Sequence, residues 1–195
     1  VDEYREGLEE RFKDLFDTDL SGLSIVVDCS NSVGSLAAPD TLRNLGAEVK
    51  VINDVFELDF SAHSPEPSET STEGLQEKVL EENADLGVIF DGDADRVMFV
   101  DEKGNCVDGD IPLALLSRKY LSFTDKIVCS VDTGSTVRDE VEKNNGETVF
   151  APRGAVFTAL KCIEEDIVFG GQPNGHLMDR EFVPYDSGSL FALLV

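Results

Sequence analysis

Apolar residues recur along this chain in two alternating rhythms. Leu8, Phe12, Leu15 and Phe16 fall at helical spacing and predict a helix over 6–16. A short β-branched run, 23–28, predicts a strand, and the small-residue turn 29–33 leads to a helix over 36–45 closed by Gly46. A strand over 48–52 follows. The stretch 53–72 carries Pro65, Pro67 and many serines, so it reads as loop, with Thr72 placed to cap a helix ending near Glu82. Residues 86–90 and 96–101 read as strands on either side of an acidic turn. The order then repeats: helix 111–121, strand 126–131, helix 136–143, strand 147–150, helix 157–164 and strand 166–169, which runs into Gly170 and Gly171. In both halves a strand delivers a small polar turn to a helix N-terminus, at 25–32 and at 128–135. The alternation predicts an α/β fold of two similar small domains, 1–106 and 107–195, each a mixed β-sheet flanked by helices.

Charge changes this picture most. Forty Asp and Glu face sixteen Lys and Arg, a net charge of −24. Such a chain repels nucleic-acid phosphates and anionic membrane surfaces, so neither is expected as a partner. Dense salt would screen the self-repulsion, which makes a halophilic origin an expectation. No apolar stretch approaches the length of a membrane span. Residues 1–6 lack the basic and apolar regions of a secretory signal, and the location expected is cytoplasmic. The first residue is Val, not Met, and 190–195 are apolar to the last residue, so the sequence reads as a fragment that stops inside an element. Cys29, Cys106, Cys129 and Cys162 show no zinc spacing and are expected as reduced, mostly buried thiols.

The acidic turn carries the chemistry. Asp91, Asp93 and Asp95 alternate with the small residues Gly92 and Ala94, which lets the backbone aim three carboxylates at one point. Their mutual repulsion calls for a cation, and hard oxygens suit magnesium, calcium or manganese. Arg96 adds a planar fork suited to phosphate. A metal beside an arginine at a strand end serves phosphoryl transfer, which runs on positioning and charge neutralisation. A calcium loop of the EF-hand kind is the other reading. Counted from Asp91, Glu102 matches its position 12, whereas Arg96 stands at position 6, where Gly is needed, and the flanks read as strands.

The run Asp91-Gly-Asp-Ala-Asp-Arg96 resembles the magnesium loop of the α-D-phosphohexomutases, the family of phosphomannomutase and phosphoglucomutase. The lead-in 81–90, the strand-turn 27–33, the Pro-rich segment 63–67, the loop Gly171-Gln-Pro-Asn-Gly-His176 and the stretch Tyr185-Asp-Ser-Gly188 resemble family segments in the same order. The resemblance implies the second domain and most of the third of a four-domain enzyme. It would interconvert hexose 1-phosphate and hexose 6-phosphate through a bisphosphorylated sugar. Mg2+ would be held by Asp91, Asp93 and Asp95. Arg96 would be catalytic and steady a phosphoserine carried by the first domain. Gly171, Gln172, Asn174, Gly175 and His176 would bind the sugar. Flanking domains 1 and 4 would be missing partners, and this piece alone would be inactive. Three positions depart from the pattern: Gln172 for Glu, Asn174 for Ser, and Ala155 where some relatives carry His or Asp. They leave a non-catalytic phosphosugar binder as the alternative within the fold.

Overall fold

Strands form at the β-branched runs, and helices at the amphipathic stretches between them. The computed structural model describes residues 1–195. Two compact units emerge: residues 1–107 with 188–194, and residues 108–187 with the terminal Val195.

The first unit holds α1 (Asp2–Leu15), β1 (Ser24–Asp28), a 3-10 turn (Val33–Leu36), α2 (Ala38–Asn44), β2 (Glu48–Ile52), α3 (Glu73–Glu82), β3 (Leu86–Phe90) and β4 (Val97–Asp101). Its sheet runs β2-β1-β3-β4, with β1 parallel to both neighbours and β4 antiparallel to β3. One face buries Val26, Ile89 and Val100 against Leu75 and Val79 of α3. Asn83, in the left-handed conformation, closes α3.

The second unit repeats the plan. It holds α4 (Asp110–Tyr120), β5 (Lys126–Ser130), α5 (Ser135–Lys143), β6 (Glu147–Ala151), α6 (Ala155–Glu164), β7 (Phe169–Gly171) and β8 (Leu177–Asp179). Its sheet runs β6-β5-β7-β8, again parallel except for the last pair. Val128, Ala151, Ala159, Cys162, Ile167 and Met178 form its core cluster. The expected pair of mixed sheets flanked by helices is therefore present in both halves.

The seventh strand lies three residues later than expected. Asp166 has a positive φ of 57°, and Ile167 N–H bonds back to Cys162 O, so 166–167 complete the cap of α6. Pairing starts only at Phe169 and takes in both glycines. At Gly170 a Cβ would stand 2.7 Å from Cys162 Sγ and 2.9 Å from Thr158 Cγ2, so its absence lets α6 lie close on the sheet.

After β8 the chain returns to the first unit as α7 (Gly188–Leu194), every residue of it buried. It packs on α1, α2 and β4. Contact thus places 188–194 with the first unit, although in sequence they fall within the expected 107–195 domain. No helix is long and apolar enough to cross a membrane. Cys29, Cys129 and Cys162 are buried, and burial pushes each thiol up to about 12.

Candidate functional site

Strand β3 is buried along four of its five residues and ends at Phe90, so the turn after it starts from a fixed point. Ala94 adopts a φ of 59°, in the left-handed region that residues other than glycine enter rarely, and the turn closes with Ala94 N–H on Asp91 O at 3.3 Å. The turn is also pinned from α7. Gly188 N–H donates to Ala94 O at 3.1 Å, and a Cβ on Gly188 would stand 2.6 Å from Arg96 O. This close approach is what the glycine of Tyr185-Asp-Ser-Gly188 provides.

The turn brings oxygens of Asp91, Asp93 and Asp95 within 4.8 Å of one another. Asp91 is buried, Asp93 exposed and Asp95 between the two. Asp91 is fixed by Arg96, whose backbone N–H and Nε reach its two oxygens at 3.2 and 2.7 Å. The donor set fits a hard divalent cation: three carboxylates converge, with one neighbouring arginine to offset them. Because β3 and β4 flank the turn as paired antiparallel strands, the helices of an EF-hand are absent and the calcium-loop reading falls.

Arg96 has a partner that sequence reading missed. Glu66, thirty residues upstream, meets Nη1 and Nη2 at 2.5 and 2.8 Å. The hydrogen bonds to Glu66, then those to Asp91, push the Arg96 pKa further up, so its charge is permanent. No local pattern announces such a pair. The signal present was Glu66 between two prolines in a loop otherwise rich in serine. In the same loop, His63 Nε2 lies 3.0 Å from Asp28 Oδ2, and its Nδ1 lies 2.8 Å from Ser64 O. Asp28 is fully buried and also accepts from Ser30 N and Asn53 Nδ2.

In the second unit, residues 172–176 form the hairpin loop between β7 and β8. Gln172 N–H bonds to His176 O at 2.8 Å, and Gly175 N–H to Gln172 O at 3.2 Å. The structure therefore gathers Gly171, Gln172, Asn174, Gly175 and His176 on one tight turn. Gln172 is 3 % exposed; its Oε1 accepts from Gly154 N–H at 3.2 Å, and its buried Nε2 has no hydrogen-bond partner. Asn174 is exposed. His176 Nδ1 lies 2.8 Å from Oδ2 of the buried Asp186, a close contact that lacks hydrogen-bond geometry; sequence reading did not pair the two residues. Ala155 opens α6 immediately after Gly154.

Two family models match: phosphoglucomutase/phosphomannomutase α/β/α domain II over residues 2–104, and domain III over 108–195. Among curated proteins, the phosphoglucosamine mutase of Clostridium acetobutylicum is 34% identical over 191 residues, 94% of this chain and 41% of its own. That of Bifidobacterium adolescentis is 36% identical over 183 residues, 90% of this chain and 39% of its own. The chain thus spans about two-fifths of the length of these relatives. Among solved structures, a phosphoglucomutase/phosphomannomutase family protein from Burkholderia thailandensis shares the fold with a TM-score of 0.90 at 24% identity, over 99% of this chain and 42% of that one. Two matched domains in sequence order, with relatives above 30% identity along nearly the whole chain, establish that it belongs to the phosphoglucomutase/phosphomannomutase family.

Proposed function

We propose that this chain is the central part of a cytoplasmic, magnesium-dependent phosphohexomutase, which interconverts hexose 1-phosphate and hexose 6-phosphate. The observation that carries this reading is the convergence of Asp91, Asp93 and Asp95 within 4.8 Å at the end of β3, next to Arg96. These three carboxylates hold the cation, which when bound neutralises phosphoryl oxygens. Arg96, anchored by Asp91, steadies the phosphoserine supplied by a flanking domain. In the first half-reaction the bond from phosphorus to the serine oxygen breaks as the bond to a sugar hydroxyl forms, and the proton that this hydroxyl loses is balanced by the one the freed serine oxygen takes up. The bisphosphorylated sugar turns over, and its other phosphate returns to the serine. The charged groups here act by position and electrostatics, which is what phosphoryl transfer requires.

The second unit recognises the sugar through the 171–176 hairpin. The orphaned Nε2 of Gln172 supports this, because a buried donor without an acceptor costs about 1–3 kcal/mol and a sugar oxygen relieves it. His176, beside the buried Asp186, supplies a second polar group. The same Gln172 favours the non-catalytic binder as second reading, since an amide lacks the charge of the usual Glu.

The test is phosphorus NMR on the full-length protein with magnesium and, in turn, mannose, glucose and glucosamine 1-phosphates. Appearance of a 6-phosphate, lost in Asp93→Asn, supports the mutase and names its sugar. Binding of all three without conversion overturns the mutase in favour of the binder.

A further inference from the structure

Residues 53–72 form no strand or helix, yet they are fixed to the rest of the first unit at several successive points. Asn31 Nδ2 donates to Val55 O at 3.0 Å, and Asn31 Oδ1 accepts from Ala62 N–H at 3.1 Å. His63 meets Asp28. Glu66 then lays its carboxylate end-on against Arg96, one oxygen to each Nη. Pro65 and Pro67 restrict the backbone on both sides, so the carboxylate is presented by a stiff segment.

The two partners of Arg96 differ in burial. The Asp91 side chain is 3% exposed and that of Arg96 17%, whereas that of Glu66 is 66% exposed. Arg96 is therefore the fixed member of the pair and Glu66 the one that water can take back. The Nη1/Nη2 edge is also the edge that offers two parallel N–H groups to a phosphate. Glu66 fills it.

We propose that Glu66 is a built-in counter-ion on the phosphoryl-binding edge of Arg96, which an incoming phosphoryl group must displace, so that Glu66 holds down the affinity of that edge for phosphoryl anions. The proposal rests on the reading that Arg96 receives a phosphoryl group. A tethered carboxylate competes at an effective concentration in the millimolar range, so an incoming anion must outbid it. A monoanion replaces one negative charge by another and then feels repulsion from the displaced Glu66, which remains nearby. A dianion is attracted to Arg96 about twice as strongly and is repelled by Glu66 about twice as strongly, so the penalty that Glu66 imposes is the larger for the dianion.

The experiment titrates this 195-residue chain, at pH 8 and fixed magnesium, with methyl phosphate (a dianion there) and dimethyl phosphate (a monoanion), followed by phosphorus NMR. Glu66→Gln is expected to bind methyl phosphate about fivefold tighter than the parent, with a smaller gain for dimethyl phosphate, so that the preference for the dianion widens. Glu66→Asp, whose arm is one methylene shorter, should shift both affinities in the same direction and serves if Glu66→Gln does not fold. Unchanged affinities in both variants, with methyl phosphate binding lost in Arg96→Gln, overturn the counter-ion and leave the Arg96 site standing. Methyl phosphate binding that survives Arg96→Gln, or is absent from every form, removes the Arg96 reading and this inference with it.

Discussion

At the residue scale the site divides into groups held for structure and groups left available. Asp91 is buried and committed to Arg96, while Asp93 is exposed and lies within 4.8 Å of both other carboxylates. Asp93→Asn should therefore weaken magnesium binding by about tenfold or more without destabilising the fold, since it also relieves repulsion in the empty cluster. Isothermal titration beside a thermal melt checks both parts, and an unchanged magnesium isotherm would remove Asp93 from the ligand set. His63 behaves differently. The hydrogen bond to Asp28 raises its pKa above the ordinary 6.5, against the lowering effect of burial. The charged ring thus contributes stability fully below about pH 6.5, and that contribution fades as pH rises through the raised folded value. His63→Gln should cost on the order of 1 kcal/mol at pH 5.5 and much less at pH 9. Denaturant melts at the two pH values would show it, and an equal loss at both would mean that the imidazole acts by packing and not by charge.

At the element scale the decisive contacts are close approaches that glycine permits. Gly170→Ala would set a methyl 2.7 Å from Cys162 Sγ and 2.9 Å from Thr158 Cγ2 in the middle of the second unit. Lifting α6 off its sheet to make room should cost about 1–3 kcal/mol. Cys162→Ala, added to it, vacates much of the clash, so the double variant should lose less than the two single losses summed; strict additivity in denaturant melts would contradict this contact. Most elements were legible because local pattern and tertiary environment agree in them: the β-branched strand 24–28 and the helix 73–82 form close to where periodicity places them. The failures have physical causes. The run 166–168 is apolar enough for a strand, but its first residue takes the left-handed cap of α6. Strand β8 is three residues long and too short to show alternation. In the candidate site, the acidic turn and the hairpin could be read from compact sequence runs. Glu66 on Arg96 and Asp186 on His176 bridge thirty and ten residues, and only the fold brings such partners together.

At the scale of the whole molecule the net charge of −24 acts on every element at once. The ion pairs present offset only part of it, because most involve exposed side chains and such pairs contribute about 0–1 kcal/mol each. Self-repulsion among the remaining carboxylates favours an expanded chain, and salt shortens its reach: the screening length falls from about 10 Å at 0.1 M to about 3 Å at 1 M. The Asp91–Asp95 turn feels the same field, since three of the carboxylates are gathered there, and a cation bound to it would relieve repulsion locally as salt does globally. Melting temperature should therefore rise by several degrees between about 0.05 and 1 M potassium chloride. Added magnesium should raise it further at low salt, by an amount that shrinks in Asp93→Asn. Melts in potassium chloride, with and without millimolar magnesium, separate the two effects. A melting point independent of salt would show that the acidic surface is merely solvated. A magnesium shift that persists in full in Asp93→Asn would show the ion acting as general screening and not through the Asp91–Asp95 turn.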